Sequence, residues 1–121
     1  MFTCNHLTIL CSDISRMKEF YVAKLGLEVL EDFPKVMAVR AGEVRFSFFV
    51  SEEEFAKQNR VQIILRTSDI NKAKEQLLNA GVEPLEDIIE APNFMKFITI
   101  GDPDGNIVYV GEYLRDPLAP L

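Results

Sequence analysis

The chain has 121 residues, 48% hydrophobic and 26% charged, the length and balance of one globular domain rather than of a disordered segment. Its formal net charge of -6 and pI near 4.8 leave no basic footprint for nucleic acid and mildly favour cationic ligands. No apolar run approaches the ~20 residues of a membrane span, and residues 1–6 lack the basic and apolar stretches of a secretory signal, so no membrane association and a cytoplasmic location are expected.

The first element is a strand around Leu7-Thr8-Ile9-Leu10, flanked by Cys4 and Cys11. Seven residues of extended chain separate the two cysteines by about 23 Å and place them on opposite faces, so they cannot pair with each other. A helix follows. Asp13 or Ser15 is the candidate N-cap; Met17, Phe20, Tyr21 and Leu25 share one face, and Gly26 suits the left-handed residue after the helix. Three strands are predicted next, at about 27–32, 35–40 and 43–50, with turns at Pro34 and at Ala41-Gly42. The charged stretch 51–59 reads as a linker.

The second half repeats the first. Ser68-Asp69-Ile70-Asn71-Lys72-Ala73-Lys74-Glu75 matches Ser12-Asp13-Ile14-Ser15-Arg16-Met17-Lys18-Glu19, with Ser, Asp, Ile, Lys and Glu recurring at one offset. Val61-Gln62-Ile63-Ile64-Leu65 stands where the first strand stood. Asp69 or Asn71 is the matching cap, Ile70, Ala73, Leu77 and Ala80 the apolar face, and Gly81 the matching glycine. Strands are predicted at about 82–89, 95–100 and 106–114, the last two joined by the turn Asp102-Pro103-Asp104-Gly105-Asn106. A period near half the chain means a duplicated supersecondary unit. The expectation is an α+β fold of two βαβββ modules, at about 4–50 and 60–114, with a tail at 115–121. One helix covers one sheet face per module, so the open faces should line a ligand cavity.

Three segments carry a family likeness: Asn5-His6-Leu7-Thr8-Ile9-Leu10-Cys11-Ser12-Asp13 with Phe20-Tyr21 and Leu25-Gly26-Leu27, the repeat from Val61 to Gly81, and the Asp102–Asn106 turn before the last strand. Together they resemble the vicinal oxygen chelate superfamily, the glyoxalase/bleomycin resistance/dioxygenase group. That resemblance implies eight strands cupped around a cavity with two helices outside, and a homodimer. Most members hold a divalent metal through four inward residues, usually His, Gln or Glu, whereas the bleomycin-resistance branch binds its ligand without one.

Carried over residue by residue, the four positions fall on His6, Gln62, Ser47 and Tyr109, with Phe46 replacing Ser47 if the register slips by one. Ser47 and Tyr109 are poor donors for a divalent cation, which needs deprotonated or strongly basic ligands. Glu112 lies on the strand face opposite Tyr109, and Glu43 sits at a turn. A metal-independent small-molecule binder is therefore expected, with His6, Thr8, Ser47, Gln62, Ile64, Phe97 and Tyr109 on the cavity face. The alternative is a glyoxalase I-type lyase or isomerase, or a dioxygenase-type enzyme, with a metal held partly by His6 and Gln62. In an enzyme His6 and Tyr109 are the candidate catalytic groups, His6 as base and Tyr109 as proton donor, although Tyr109 also reads as a pocket wall. Arg45 and Arg66 read as surface ion-pair partners or as contacts for a ligand carboxylate or phosphate.

Overall fold

A computed structural model of the chain describes residues 4–51 and 62–118. Its residues cluster into two units: Met1–Arg60 together with Asp102–Asn106, and Val61–Gly101 together with Ile107–Leu121. Most of the predicted linker at 51–59 lies outside the described residues.

In the first unit the chain runs β1 (His6–Cys11), α1 (Ile14–Lys18), a π-helical turn (Glu19–Lys24), β2 (Glu28–Phe33), β3 (Val36–Ala41) and β4 (Val44–Val50). The sheet order is β1-β4-β3-β2, with β1 parallel to β4 and the other pairs antiparallel. Period-2 alternation sends Ile9, Cys11, Met37, Val39, Phe46 and Phe48 to one face, where they are buried with Ile14, Met17, Phe20 and Tyr21 of the helix. Asp13 is the cap at the helix start, its carboxylate accepting from the Ser15 amide at 2.8 Å.

The predicted helix changes character at Glu19. The wider π turn lets two consecutive residues, Phe20 and Tyr21, both point inward. The Tyr21 ring packs on Phe20 and Phe48 with centroids 5.0 and 4.7 Å away. Its hydroxyl donates to Asp102 at 2.8 Å.

Asp102 belongs to the tight turn read from the sequence, and the turn explains why its residues are what they are. One carboxylate oxygen accepts from the amides of Asp104 and Asn106 at 2.9 and 2.8 Å, the other from the Asn106 side chain and Tyr21, both at 2.8 Å. Gly105 supplies the positive φ, +81°. Asp104 in turn accepts from the amide and hydroxyl of Ser12, and Arg16 donates to the Pro103 carbonyl. Burial, followed by the Asp102 carboxylate, pushes Tyr21 ionisation well above the ordinary tyrosine range. Burial and then the Asp104 charge push the Cys11 thiol from 9.0 up to about 11.

The second unit repeats the plan with β5 (Ile63–Arg66), α2 (Ile70–Asn79), β6 (Ile89–Ala91), β7 (Met95–Gly101) and β8 (Ile107–Tyr113), in the order β5-β8-β7-β6. Asp69 caps α2 through the Lys72 amide at 3.1 Å. The far end closes as a Schellman motif, Val82 N–H to Leu77 C=O at 2.8 Å and Gly81 N–H to Leu78 C=O at 3.0 Å, with Gly81 at φ +80°. One expected strand shrinks. The 82–89 run is irregular until Ile89, because Pro84 has no amide to give and Leu85 donates instead to the Thr99 carbonyl at 2.8 Å.

The two four-stranded mixed sheets and their helices are an α+β fold of two βαβββ modules. No helix among the described residues is long and apolar enough to cross a membrane.

Candidate functional site

Each unit leaves one sheet face without a helix, and the predicted site residues sort onto those two faces. On the first, strand register sets His6, Arg45 and Arg40 in one row and Thr8, Ser47 and Ala38 in the next. Phe46 lies on the helix side and is buried there, so the alternative register does not occur.

β2 completes the second row through a bulge. Glu28 pairs with Arg40 and Val29 with Val39, but the ladder then skips Leu30 and resumes with Glu31 opposite Ala38. Without that extra residue the alternation would send Glu31 to the other face; the bulge re-aims it across the small Ala38 toward β4. The result is a continuous polar chain. Glu31 takes an ion pair from Arg45 Nη2 at 3.0 Å, Arg45 Nε donates to Ser47 Oγ at 3.0 Å, and Ser47 Oγ lies 2.7 Å from His6 Nε2. Ser47 is only 2% exposed, whereas His6 and Thr8 are open to solvent. Below this chain the same face turns apolar, with Leu10, Phe49, Val36 and Phe33 forming the next row.

On the second unit's open face Ile64, Tyr109 and Thr99 form one row and Arg66, Gly111, Phe97 and Ile89 the next. Phe97 meets Tyr109 edge-on with centroids 5.0 Å apart. The Arg66 guanidinium stands 5.6 Å from the Tyr113 ring centre, and Thr99 donates to Glu86 at 3.2 Å. Gln62 is exposed just ahead of β5. Glu112 faces the helix, as alternation predicted, and its carboxylate accepts from the Ile70 amide at 2.9 Å, a second cap for α2.

The structure therefore brings His6 and Ser47 into direct contact in one unit, and Phe97 and Tyr109 in the other. Sequence reasoning missed that Arg45 is part of the His6–Ser47 chain as well as an ion-pair partner. The signal was present, since Arg45 and Ser47 alternate onto the face of His6. The Leu30 bulge left no trace, because Val-Leu-Glu-Asp carries no glycine or proline.

As a metal centre the first-unit donors do not fit. His6 Nε2 and Ser47 Oγ are engaged with each other, and the Arg45 guanidinium already holds a positive charge against Ser47. A divalent cation would need further anionic or imidazole donors, and no three His, Cys, Asp or Glu side chains gather among the described residues.

Comparisons with known proteins agree with this architecture. The virulence protein STM3117 of Salmonella typhimurium is 28% identical over 120 residues, covering 91% of this chain and 83% of that protein. Its crystal structure superposes with a TM-score of 0.74 at 26% identity, covering 92% of this chain and 96% of that one. A glyoxalase family protein from Enterococcus faecalis has a TM-score of 0.77 at 23% identity, over 91% of this chain and 97% of that one. A glyoxalase/bleomycin resistance protein/dioxygenase from Nocardioides also has 0.77, at 18% identity over 100% and 90%. The family model of the Glyoxalase/Bleomycin resistance protein/Dioxygenase superfamily matches residues 3–110, and with two βαβββ units and their capped helices in place, the chain belongs to that superfamily.

Proposed function

We propose that the chain is a metal-independent small-molecule-binding member of the superfamily, with the open face around His6, Thr8, Ser47 and Arg45 as its polar contact surface. The observation that carries this reading is the Arg45–Ser47–His6 chain. A guanidinium hydrogen-bonded at 3.0 Å to Ser47 sets a fixed positive charge beside one of the positions where a metal site would need a donor, and that charge opposes a cation there. The same chain presents polar groups beside an apolar row, the mixture that binds small organic molecules. Ile64, Phe97 and Tyr109 offer an apolar and aromatic contact surface on the second unit. The reading extends to a homodimer, on family resemblance, and to a reducing cytoplasm, supported by two unpaired cysteines.

The test is elemental analysis of protein purified without chelator or affinity tag, followed by challenge with zinc, nickel, manganese and iron(II). Sub-stoichiometric metal and no uptake are expected. A stoichiometric metal that is lost on His6→Ala would refute the proposal and move the reading to a glyoxalase-type lyase.

A second reading, catalysis by His6 without metal, is favoured by one observation: the ring is oriented by Ser47 and open to solvent. Substitution of His6 by alanine separates the two, because an enzyme loses turnover by orders of magnitude and a binder loses only affinity.

A further inference from the structure

Hydrogen-bond arithmetic at Ser47 fixes more than a contact. A serine hydroxyl has one hydrogen to give and two lone pairs. Arg45 Nε can only donate, so at 3.0 Å it takes one of those lone pairs. The hydroxyl hydrogen then needs an acceptor, because Ser47 is 2% exposed and a buried donor left unpaired is costly. Among the described residues the acceptor in reach is His6 Nε2, at 2.7 Å. Nε2 can accept only if the ring hydrogen sits on Nδ1. His6 is exposed, and its Nδ1 has no protein partner among the described residues.

We infer that His6 is held as the Nδ1–H tautomer, and that the remaining Arg45 N–H donors, coupled to His6 through Ser47, bind the carboxylate of a small molecule whose apolar part lies toward Leu10 and Phe49. This deepens the metal-free binding reading and rests on it. Two observations point to a carboxylate. Arg45 uses Nε and one contact of Nη2 within the protein, so part of its donor fork remains for a planar anion. The group it already holds on Nη2 is a carboxylate, that of Glu31, at 3.0 Å. The Arg45 and Glu31 side chains are 32% and 46% exposed, so that ion pair is weak enough for a ligand to compete with it. The net charge of -6 had favoured a cation, but local donors decide recognition where distant surface charges are screened. A ring with its hydrogen on Nδ1 and its Nε2 lone pair taken by Ser47 has no free lone pair to act as a base.

The chain has one histidine, so long-range nitrogen–proton NMR of the labelled protein reads its ring without ambiguity. The expected spectrum has a pyridine-like Nε2 and a pyrrole-like Nδ1; the reverse overturns the assignment. Benzoate, benzamide and benzylamine are then titrated while the His6 ring nitrogens and Arg45 Nε are observed. Benzoate is expected to shift both residues at lower concentration than benzamide, with benzylamine inert. Preference for benzylamine, or no response to any of the three, overturns the carboxylate assignment while leaving metal-free binding of some other ligand intact. Arg45→Met is expected to weaken benzoate by about tenfold or more. Glu31→Gln, an exposed change that leaves the Arg45–Ser47–His6 chain in place, is expected to tighten benzoate severalfold by removing a competitor. Unchanged or weaker binding in Glu31→Gln counts against the proposal. Metal uptake is scored separately on the same preparations, so failure of the metal-free reading and failure of the carboxylate assignment give different results.

Discussion

Replacing Tyr21 with phenylalanine removes a single oxygen from the core of the first unit, and the structure sets the size of the effect. The Tyr21 hydroxyl donates one of four hydrogen bonds received by the Asp102 carboxylate, and both residues are buried. The phenylalanine ring keeps the packing on Phe20 and Phe48, so no cavity opens and the loss is the hydrogen bond alone. A bond to a buried charged acceptor contributes about 1.5–3 kcal/mol, and the remaining three bonds to Asp102 place the expected cost near the lower end, about 2 kcal/mol. Urea denaturation at pH 7 measures it as a lower midpoint with an unchanged slope.

Alkaline pH supplies a second readout with a definite sign. Folded Tyr21 stays protonated where an unfolded tyrosine ionises near pH ~10, so above that value the unfolded state binds fewer protons and stability falls. The contribution is complete below pH ~10 and declines by about 1.4 kcal/mol by pH 11. Phenylalanine cannot ionise, so the gap between wild type and variant should narrow by that amount. A cost below about 0.5 kcal/mol at pH 7, or a gap that does not change between pH 9 and 11, would refute the hydrogen bond and the burial together.

Thiol titration of the native protein with a disulfide reagent should count one fast cysteine, Cys4, which is exposed, while the buried and hard-to-ionise Cys11 reacts only in denaturant; two fast thiols would contradict the Cys11 environment. Stability contributed by Cys11 should likewise be full below pH 9 and lost as pH rises toward 11, because its folded thiol keeps its proton longer than the unfolded one. At the start of α2, Asp69→Ala and Glu112→Gln should each cost about 1 kcal/mol, measured by chemical denaturation. Their effects should be less than additive if the two carboxylates serve the same helix end, and strict additivity would show that they act independently.

The architecture was legible because it was written twice. The Ser-Asp-Ile repeat located both helices, and alternation before it located β1 and β5. Between the cap candidates, aspartate serves in both copies, a choice that residue type alone left open. The interior of the first helix was harder to foresee. Periodicity placed Phe20 and Tyr21 on one broad face, but a π turn brings both fully inward, and the Tyr21 hydroxyl finds its partner 81 positions away, beyond the reach of local pattern. Glu112 is similar: its strand face was readable, but its partner, the Ile70 amide, lies 42 residues away in sequence. At the site, His6 and Ser47 were matched by position, but register pairs His6 with Arg45 and Ser47 with Thr8, so their contact is a diagonal one that face and register leave open. Arg45 shares their face, opposite His6 and two residues before Ser47, and the part a face assignment leaves out is that its guanidinium turns toward Ser47 and Glu31.

Leu30 is the one residue of β2 that the ladder passes over. Deleting it would leave Val29 opposite Val39 and Glu31 opposite Ala38, so every existing pair would survive and the strand would simply become regular. That strand lies at the margin of its sheet, all six of its residues are exposed, and Val29, Leu30 and Phe33 are among its side chains. A straight margin of that composition is a template on which another chain can add a strand, whereas a kinked one is not. The cost of losing Leu30 would therefore appear in the solution rather than in the fold: a chain as stable as before, but one that self-associates at concentrations where the natural sequence stays dispersed.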